Sequence, residues 1–387
     1  MFATLKRLYT ILYPPEPKAS ADSKPLRFGI LGAANIAPPA LIIPAKSHPD
    51  VVVYAVAARS LAKAEAFAKK YGIAKAYEGY QQLLDDPEVD VVYNPLPNGL
   101  HYEWTMKALA RGKHVLLEKP AANTAKEMQK MFELAESKSL VLVEAFHYRF
   151  HPAIQRVKEI LDSGELGRIK SITVNNCALT PFGEDDIRYQ WDLGGGALMD
   201  MGCYTVNCLR YLASSDPIEL LSASCTKHIP KKSLPSYESK VDRATTATLS
   251  FPNDIIGTIN CDLSQPWKFG GLVPPFPEVS ANVECEGGDI RIFNFVLPTL
   301  YHSITVKKRD GKKVTSRTEK VYKPAEGKGE EWWLTYRYQL EAFVDRVRGR
   351  EPQTWVTKED SVANMEWIEK IYEKSGVGLR PKSQFVP

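Results

Sequence analysis

The sequence predicts an α/β fold in two parts, a doubly wound parallel sheet followed by an α+β domain with a large, mostly antiparallel sheet. Short apolar runs alternate with helical segments from residue 26 to about residue 146, the pattern of parallel strands joined by crossover helices. After residue 150, strand-like segments follow one another at short intervals, which favours hairpins. We therefore expect a domain at residues 26–146 and a second at 147–387, after an N-terminal extension at 1–25.

The strands predicted for the first half are short apolar runs. They lie at residues 26–31, 51–57, 90–93, 115–117 and 140–144. The predicted helices follow the turn at 32–37 up to about residue 46, then lie at 61–71, 80–84, up to about 111 after the loop at 94–101, and at 124–137. Because such crossovers are right-handed, this order predicts one parallel sheet with helices on both faces.

The second half is dominated by predicted strands, with hairpin turns at residues 252–254 and 287–288. The strands lie at residues 169–178, 219–226, 243–250, 255–262, 282–286, 290–294 and 303–308. Helices are predicted at residues 153–163, 197–212, 331–348 and 358–374. These helices are too few to cover both faces of so wide a sheet, so we expect a homodimer joined through the open face.

Composition and charge argue against several classes of protein. Of 387 residues, 44% are hydrophobic and 25% charged, and the net charge of +4 comes without a long Lys/Arg block, so no nucleic-acid partner is expected. No run approaches the ~20 apolar residues that cross a bilayer, so no membrane partner is expected. Six scattered cysteines without a CxxC pair favour free thiols over disulfides or a metal site. Residues 1–13 lack the features of a signal peptide, and we expect a cytoplasmic protein.

A turn suited to a dinucleotide follows the first predicted strand. Residues 32–37 read Gly-Ala-Ala-Asn-Ile-Ala, a variant of the glycine-rich fingerprint between a strand and a helix. The glycine permits the tight turn, the second alanine lets a pyrophosphate approach, and the last alanine lets helix and strand pack closely. We therefore predict a Rossmann domain. Its candidate cofactor-binding residues in this turn are Gly32, Ala34, Asn35 and Ile36.

The second predicted strand ends in Arg59 and Ser60, with Lys63 one turn into the next helix. An NAD site usually has an acidic residue here that binds the ribose hydroxyls, and this chain has none. A guanidinium, a hydroxyl and an ammonium suit a 2′-phosphate instead. A merely solvated helix start would not explain the missing acid. The sequence therefore favours NADP over NAD as the cofactor.

A buried strand that ends in Glu118, Lys119 and Pro120 carries the strongest chemical signal. The carboxyl end of such a strand is where open α/β sheets bind their ligands. Pro120 restricts Lys119 to extended backbone angles, so we expect a fixed ammonium that faces the crevice, together with Glu118. The alternative is a surface Lys-Pro turn.

The loop at residues 94–101 lies at the same edge of the predicted sheet, because it follows the strand at 90–93. Its candidates for contact with the cofactor are Leu96, Pro97, Asn98 and His101. A histidine at the start of a helix is also often a cap or a core residue, and the sequence leaves both roles of His101 open.

A further polar pair lies in the otherwise apolar helix predicted at residues 197–212. Asp200 and Tyr204 are four residues apart, which places the carboxylate and the phenol on one helix face. Buried polar groups need partners, so an internal Asp–Tyr pair is the alternative to a catalytic role. Candidates for the wall of a substrate pocket are Arg149, His151, Arg188 and Trp191.

In their order and spacing these motifs resemble those of the glucose-fructose oxidoreductase/inositol dehydrogenase family, Gfo/Idh/MocA. They lie at residues 32–37, 97–101, 118–120, 144–152 and 194–204. The resemblance extends from about residue 26 to the C terminus. The subgroup that looks most similar contains dimeric dihydrodiol dehydrogenases and NADP-dependent D-xylose dehydrogenases. It shares the Ala-Arg end of the second strand and a tyrosine at the position of Tyr204, where inositol dehydrogenases usually have histidine.

The resemblance implies an NADP-dependent oxidoreductase that transfers a hydride between the nicotinamide and a carbinol carbon of a sugar or cyclic diol. It implies that Lys119 contacts the substrate hydroxyl and the nicotinamide ribose, and that the bond before Pro120 is cis. It also implies that Asp200 and Tyr204 form the substrate-binding and acid–base pair. D-Xylose, D-glucose and trans-dihydrodiols are all substrates of the implied class.

A tyrosine with an ordinary pKa near ~10 is a poor base at neutral pH. We expect the Lys119 ammonium to lower the pKa of Tyr204 and so make the phenol a proton acceptor. His147 or His151 would be the acid–base group if Tyr204 is not. Two other functions stay open. One is a sugar-sensing regulator of the same fold, which need not keep Lys119 and Tyr204, and the other is an NAD-dependent glycoside-cleaving relative.

Overall fold

The computed structural model of the chain describes residues 2–17, 24–177, 182–183, 185–230, 239–266, 272–273 and 275–387. Two sheets organise these residues, one of six strands and one of eight. This architecture confirms the predicted fold class. No helix in the described ranges has both the length and the apolar character needed to cross a membrane.

The first sheet is parallel throughout. Its strands are β1 (Leu26–Leu31), β2 (Val51–Ala58), β3 (Lys75–Glu78), β4 (Val91–Asn94), β5 (His114–Leu117) and β6 (Leu142–Glu144). They lie in the order β3-β2-β1-β4-β5-β6. β2 and β3 are therefore added on one side of β1 and the last three strands on its other side, and the strand order reverses between β1 and β4. A ligand crevice forms at the carboxyl ends of the strands at such a reversal. The turns after β1, β4 and β5, which carry most of the candidate residues, therefore meet there.

The helices of the first half of the chain include one irregular element. In chain order they are α1 (Phe2–Leu12), α2 (Ile43–Ala45), α3 (Leu61–Tyr71), α4 (Tyr80–Asp85), α5 (Asn98–Ala110) and α6 (Ala125–Ser137). The helix predicted up to residue 46 is instead a π-helical turn, Pro38–Ile42, continued by α2. Pro44 has no N–H to donate to the preceding turn, and the Ile43 N–H donates to Pro38 O, five residues back.

The second sheet is mostly antiparallel. Its strands are β7 (Ile169–Cys177), β8 (Glu219–Lys227), β9 (Asp242–Ser250), β10 (Ile256–Asp262), β11 (Glu278–Cys285), β12 (Gly288–Phe293), β13 (Ser303–Asp310) and β14 (Lys313–Glu319). The order is β14-β13-β12-β11-β7-β10-β9-β8, and the pair β7–β10 alone is parallel among these pairings. Both predicted hairpins are confirmed, β9 with β10 and β11 with β12. The strand predicted at 169–178 ends at Cys177 in the described residues, and Ala178 lies outside them.

The helices of the second half are α7 (Pro152–Asp162), α8 (Cys203–Ala213), α9 (Thr335–Val347) and α10 (Lys358–Ser375). A 3₁₀ turn, His147–Phe150, precedes α7, and a π-helical turn, Leu198–Gly202, leads into α8. The helix predicted at 197–212 is therefore continuous but not uniformly α-helical. α8 packs on β7 and β10, which brings the π-helical turn close to the crevice of the first sheet.

Two strands were missed by the sequence prediction, and both are edge strands. β3 has no buried residue, and six of the seven residues of β14 are exposed. An edge strand with polar side chains on both faces gives no alternating or continuous apolar pattern. The hydrophobic signal that located the inner strands is therefore absent from these two.

Both chain termini pack on the second half of the molecule. In α1, the Arg7 guanidinium lies 3.6 Å from the centre of the Tyr322 ring, and Ile11 is buried. Near the C terminus, Arg380 forms a fully buried ion pair with Asp242, Nη2 to Oδ1 2.7 Å. The tail then reaches the first sheet's helices, where the Ser383 N–H donates to the Glu127 carboxylate at the start of α6, 2.6 Å. The C-terminal segment thus ties the two sheets together.

Candidate active site

A cavity of about 380 Å³ opens between the two sheets, at the carboxyl ends of the strands of the first. The candidate residues that line it are Ile36, Leu96, Asn98, His101, Glu118, Lys119, Arg188, Asp200 and Tyr204. Residues from the second half that the sequence did not single out also line it: Asn176, Ile187, Met201, Val279, Asn294, Val296, Leu297 and Tyr336. The cavity therefore joins the predicted cofactor crevice to the predicted helix of Asp200 and Tyr204.

Lys119 and Asp200 form an ion pair in this cavity. Nζ of Lys119 lies 3.0 Å from Oδ1 of Asp200 and 2.8 Å from its backbone oxygen. Burial by itself would lower the pKa of Lys119, but the carboxylate of Asp200 raises it. The Lys119–Pro120 bond is cis, as the resemblance implied. The ammonium is thus charged and fixed, as predicted.

A second cation binds the other oxygen of Asp200. Nε of Arg188 donates to Oδ2 of Asp200 at 2.7 Å, and its Nη1 donates to Asp186 at 3.0 Å. Burial would raise the pKa of Asp200, but Lys119 and Arg188 together lower it to about 2. Asp200 is therefore ionised at neutral pH and is held from two sides.

The hydroxyl of Tyr204 faces a histidine and not the lysine. Oη of Tyr204 lies 2.9 Å from Nε2 of His147, whereas Nζ of Lys119 lies 4.9 Å from the centre of the phenol ring. Burial raises the pKa of Tyr204 well above its ordinary value. The expectation that Lys119 lowers this pKa is wrong for the protein alone, because the ammonium donates its hydrogen bonds to Asp200.

His147 is completely enclosed and has a partner at each ring nitrogen. Its Nδ1 lies 2.8 Å from Oγ1 of Thr335, at the start of α9, and its ring packs on Tyr336 with centroids 4.0 Å apart. Burial, and to a lesser degree the Lys119 charge, lowers the pKa of His147 to about 3. The imidazole is therefore neutral at physiological pH.

Glu118 and His101 complete the floor of the cavity. Oε1 of Glu118 accepts a hydrogen bond from the Tyr93 hydroxyl at 2.7 Å, and burial raises the pKa of this carboxyl. The two ring nitrogens of His101 face the carbonyl oxygens of Pro120 at 2.9 Å and Leu96 at 2.6 Å. His101 lines the cavity, and the backbone holds its ring, as expected of a core residue. Its contact with the cofactor stays a prediction.

The turn after β1 fits a dinucleotide. Gly32 has φ +87°, and a Cβ atom at this position would lie 3.1 Å from Cδ2 of Leu96. Side chains are therefore excluded where the turn faces the loop after β4. Ala34 and Asn35 are accessible, and Ile36 reaches the cavity that contains Lys119. An accessible turn with a small side chain, joined to a polar cavity, is what a pyrophosphate and a nicotinamide require.

At the end of β2, the three candidates for the 2′-phosphate have uncommitted polar groups. Arg59 and Lys63 are exposed, and neither side chain has a hydrogen bond or ion pair to another residue in the described part of the chain. Ser60 occupies the N-cap position of α3, yet its hydroxyl makes no capping hydrogen bond to that helix. The edge of β2 therefore offers two cations and a hydroxyl to a ligand.

Apart from the residues of the turn after β1 and of the end of β2, four candidates do not line the cavity. Pro97 precedes α5 at its N terminus. Arg149 forms an ion pair with Asp360, Nη1 to Oδ2 2.8 Å, and borders a separate cavity. His151 is fully buried and accepts the Ala153 N–H at the start of α7. The Trp191 ring packs against Lys240, whose Nζ lies 4.7 Å from the ring centre. Arg149 belongs to the 3₁₀ turn His147–Phe150 and His151 follows it, and this turn directs His147 toward Tyr204 but not these two side chains.

Little in the sequence indicated which residues of the second half of the chain form the wall of the cavity. Asn176, near the end of β7, donates to the Met201 carbonyl at 3.2 Å. A polar residue on the otherwise apolar inward face of a strand is a sequence signal that could have identified it as a cavity residue. Tyr336 lies within α9, and nothing in its local pattern distinguishes it from a core residue. The remaining wall residues, Val279, Val296 and Leu297, make one side of the cavity apolar.

Comparisons with known proteins agree with this geometry. Residues 26–146 match the oxidoreductase family with an NAD-binding Rossmann fold, GFO/IDH/MocA, and residues 154–291 match the GFO/IDH/MocA C-terminal domain. The chain is 34% identical to a D-xylose 1-dehydrogenase (NADP⁺) of Haloferax volcanii, over 91% of this chain and 98% of that protein. It is 34% identical to a trans-1,2-dihydrobenzene-1,2-diol dehydrogenase of Mus musculus, over 62% of this chain and 69% of that protein.

A solved structure shares the fold. A 3-ketoreductase from Actinomadura kijaniata, in complex with NADP and TDP-benzene, superposes with a TM-score of 0.75 over 94% of this chain and 100% of that chain, at 24% identity. At this identity the similarity concerns the fold alone.

Proposed function

Because the chain belongs to the GFO/IDH/MocA oxidoreductase family, we propose that it is an NADP-dependent dehydrogenase/reductase acting on a CH–OH group of a sugar or cyclic diol. The observation that carries the proposal is the cavity in which the Lys119–Asp200 ion pair and Tyr204 meet the crevice of the first sheet. The D-xylose and dihydrodiol dehydrogenases among the relatives support this substrate class.

In the proposed reaction the chain's residues hold the substrate and move one proton. NADP, when bound, supplies the hydride chemistry. Tyr204 accepts the proton of the substrate hydroxyl during oxidation and returns it during reduction. Lys119 donates to the substrate oxygen and favours its anionic form, and Asp200 keeps Lys119 charged and fixed. The apolar wall of Val279, Val296 and Leu297 excludes water from the reacting carbon.

For the cofactor, the proposed contacts follow the crevice. Gly32, Ala34, Asn35 and Ile36 bind the pyrophosphate, and Leu96, Asn98, His101 and Glu118 border the nicotinamide half. Arg59, Ser60 and Lys63 bind the 2′-phosphate, which their uncommitted charges and hydroxyl support. This set favours NADP over NAD.

The proposal extends to assembly and compartment. The described helices pack on one face of the second sheet. On the other face, polar side chains of neighbouring strands form hydrogen bonds with one another; for example, Asn260 Nδ2 donates to Asn175 Oδ1 at 2.8 Å. We infer that this face forms a homodimer. The six cysteines are unpaired, which supports a cytoplasmic location. The domain limits inferred from the sequence, 26–146 and 147–387, are retained, with 1–25 as an extension.

The proposed function is tested by incubating the chain with NADP⁺ and a panel that contains D-xylose, D-glucose and a trans-1,2-dihydrodiol, while following the absorbance of NADPH. We expect reduction of NADP⁺ with at least one member of the panel, and weaker reduction of NAD⁺. Binding of NADP without turnover of any member would contradict the proposal and favour a sugar-sensing regulator.

A further inference from the structure

We propose that His147, oriented by Thr335, is a positioning residue for Tyr204: its Nε2–H donates to the tyrosine oxygen and leaves the tyrosine O–H free to point into the cavity. This inference rests on the proposed function, in which Tyr204 exchanges a proton with the substrate.

The hydrogen-bond partners of the three residues decide the tautomer. The buried Thr335 hydroxyl has no hydrogen-bond partner other than His147 Nδ1 within the described residues. If Nδ1 carried the proton, the threonine O–H would have no acceptor, and buried donors are rarely left unpaired. If Nε2 carries it, Thr335 donates to Nδ1 and His147 donates to Tyr204, 2.9 Å away. Only the second arrangement satisfies both the hydroxyl and the imidazole.

No other group near the phenol can take this role. The ionisable groups that face Tyr204 from the elements packed around it are Lys119, Glu118, Asp200, Cys203, Tyr148 and Tyr336. None of them is within hydrogen-bond distance of the tyrosine oxygen, whose one partner among the described residues is His147. Lys119, the expected partner, donates to Asp200. His147 is therefore the described residue placed to stabilise the anionic form of the tyrosine oxygen through a hydrogen bond.

The surroundings keep the imidazole neutral and immobile. Its ring packs on Tyr336, and burial together with the Lys119 charge lowers its pKa to about 3. His147 therefore does not take up the proton itself at neutral pH. A fixed neutral donor that faces the phenol oxygen stabilises the phenolate and so lowers the pKa that Tyr204 has in the working enzyme.

The first test compares variants of the whole chain in the oxidation assay. His147→Leu removes the donor and should lower kcat roughly 10- to 100-fold, the factor expected for a hydrogen bond to an ionised oxygen. The rising limb of the pH profile of kcat should move up by about one unit. His147→Gln keeps an amide donor, so its kcat and its pH profile should both lie close to those of the wild type. The KM for NADP⁺ should stay unchanged in both variants.

Thr335→Val tests the tautomer control, because it removes the hydroxyl and keeps its shape. We expect a lower kcat and an upward shift of the rising limb of its pH profile. In Thr335→Ser both kcat and the pH profile should return toward those of the wild type. Thr299→Val is the matched control, since the buried Thr299 hydroxyl donates to the Trp333 carbonyl at 3.0 Å and has no link to His147. Equal pH profiles in Thr335→Val and the wild type would overturn the inference.

A second measurement does not need turnover. The ¹⁵N chemical shifts of the His147 ring, identified by comparison with His147→Gln, report which nitrogen carries the proton. The inference requires an Nε2–H tautomer in the wild type and a gain of Nδ1–H in Thr335→Val. An Nδ1–H tautomer in the wild type would overturn the inference whatever the enzyme does. An Nε2–H tautomer in a chain that turns over no sugar or diol would support the inference on geometry and count against the proposed function alone.

Discussion

Nζ of Lys119 lies 3.0 Å from Oδ1 of Asp200, so an ion pair joins the end of β5 to the π-helical turn before α8. The first sheet supplies the cation and the second half of the chain supplies the anion. The pair therefore sets the distance between the cofactor crevice and Tyr204, which follows Asp200 by one helical turn.

Removal of the Asp200 charge should release Lys119. In Asp200→Asn, burial is no longer opposed by the carboxylate, so the pKa of Lys119 should fall and its position should become less fixed. We expect kcat/KM for the alcohol to fall roughly 10- to 100-fold, the factor that corresponds to the loss of one hydrogen bond between charged groups. Asp186→Asn is the matched control, because Asp186 pairs with Arg188 and does not contact Lys119. Equal losses in the two variants would show that Asp200 acts only through Arg188.

Glu144 should make the protein less stable at alkaline pH. Its buried carboxyl lies at the end of β6 and accepts the Ala121 N–H at 2.9 Å, and burial raises its pKa to about 8. The folded state therefore holds this proton more tightly than the unfolded state, so the contribution is present below the unfolded pKa and is lost as pH rises through 8. Between pH 7 and 9 the wild type should lose about 1 kcal/mol of unfolding free energy through this group.

Glu144→Gln provides the check on that pH dependence. Its amide oxygen can still accept the Ala121 N–H but does not ionise, so the variant should lack this part of the alkaline loss. Urea unfolding at several pH values measures the difference. Parallel curves for the wild type and the variant would contradict a raised pKa for Glu144.

Arg59→Ala should change cofactor preference. The guanidinium is exposed at the end of β2, without an ion-pair partner among the described residues, and is proposed to bind the 2′-phosphate. The KM for NADP⁺ should rise roughly 10-fold or more, the scale of one charge-assisted hydrogen bond, while the KM for NAD⁺ should change little. Lys69→Ala, at the far end of α3, is the control. Equal effects of Arg59→Ala on the two cofactors would refute the assignment.

The proposed dimer should be broken by a charge on the open face of the second sheet. Thr258 lies in β10 between Thr173 of β7 and Thr248 of β9, on the face away from α8. Thr258→Arg should therefore yield monomers in light scattering at micromolar concentration, whereas Ser137→Arg on α6 should remain dimeric. A wild type that scatters as a single chain would contradict the dimer itself.

The parts of the fold with strong hydrophobic signals could be predicted from the sequence. The inner strands of the first sheet are buried apolar runs, and their polar ends identified Lys119 and Asn98 as cavity residues. The edge strands β3 and β14 could not be found, since β3 has only four residues, none of them fully buried, and β14 is almost entirely exposed. Sequence patterns also do not encode which way a short 3₁₀ turn directs its side chains.

The direction of the side chains in the 3₁₀ turn His147–Phe150 explains the errors at the site. His147 reaches Tyr204, while Arg149 and His151, two and four residues later, make structural contacts elsewhere. The partner of His147 is Thr335, 188 residues away in the chain, and no local pattern connects them. The predicted effect of Lys119 on Tyr204 failed for the same reason, because the competing partner of each group depends on the folded arrangement.

The most direct test of the account is the turnover of NADP⁺ and the best alcohol of the panel by Lys119→Met, Tyr204→Phe and the double variant. If the two residues act as one unit, each single change should remove most of kcat, roughly 10²- to 10⁴-fold, and the double change should lower it little further. NADP⁺ binding should survive Tyr204→Phe, since the phenol faces the substrate side of the cavity, and should be weakened only in Lys119→Met. Near-normal kcat in Tyr204→Phe would contradict the proton-transfer role on which the account depends.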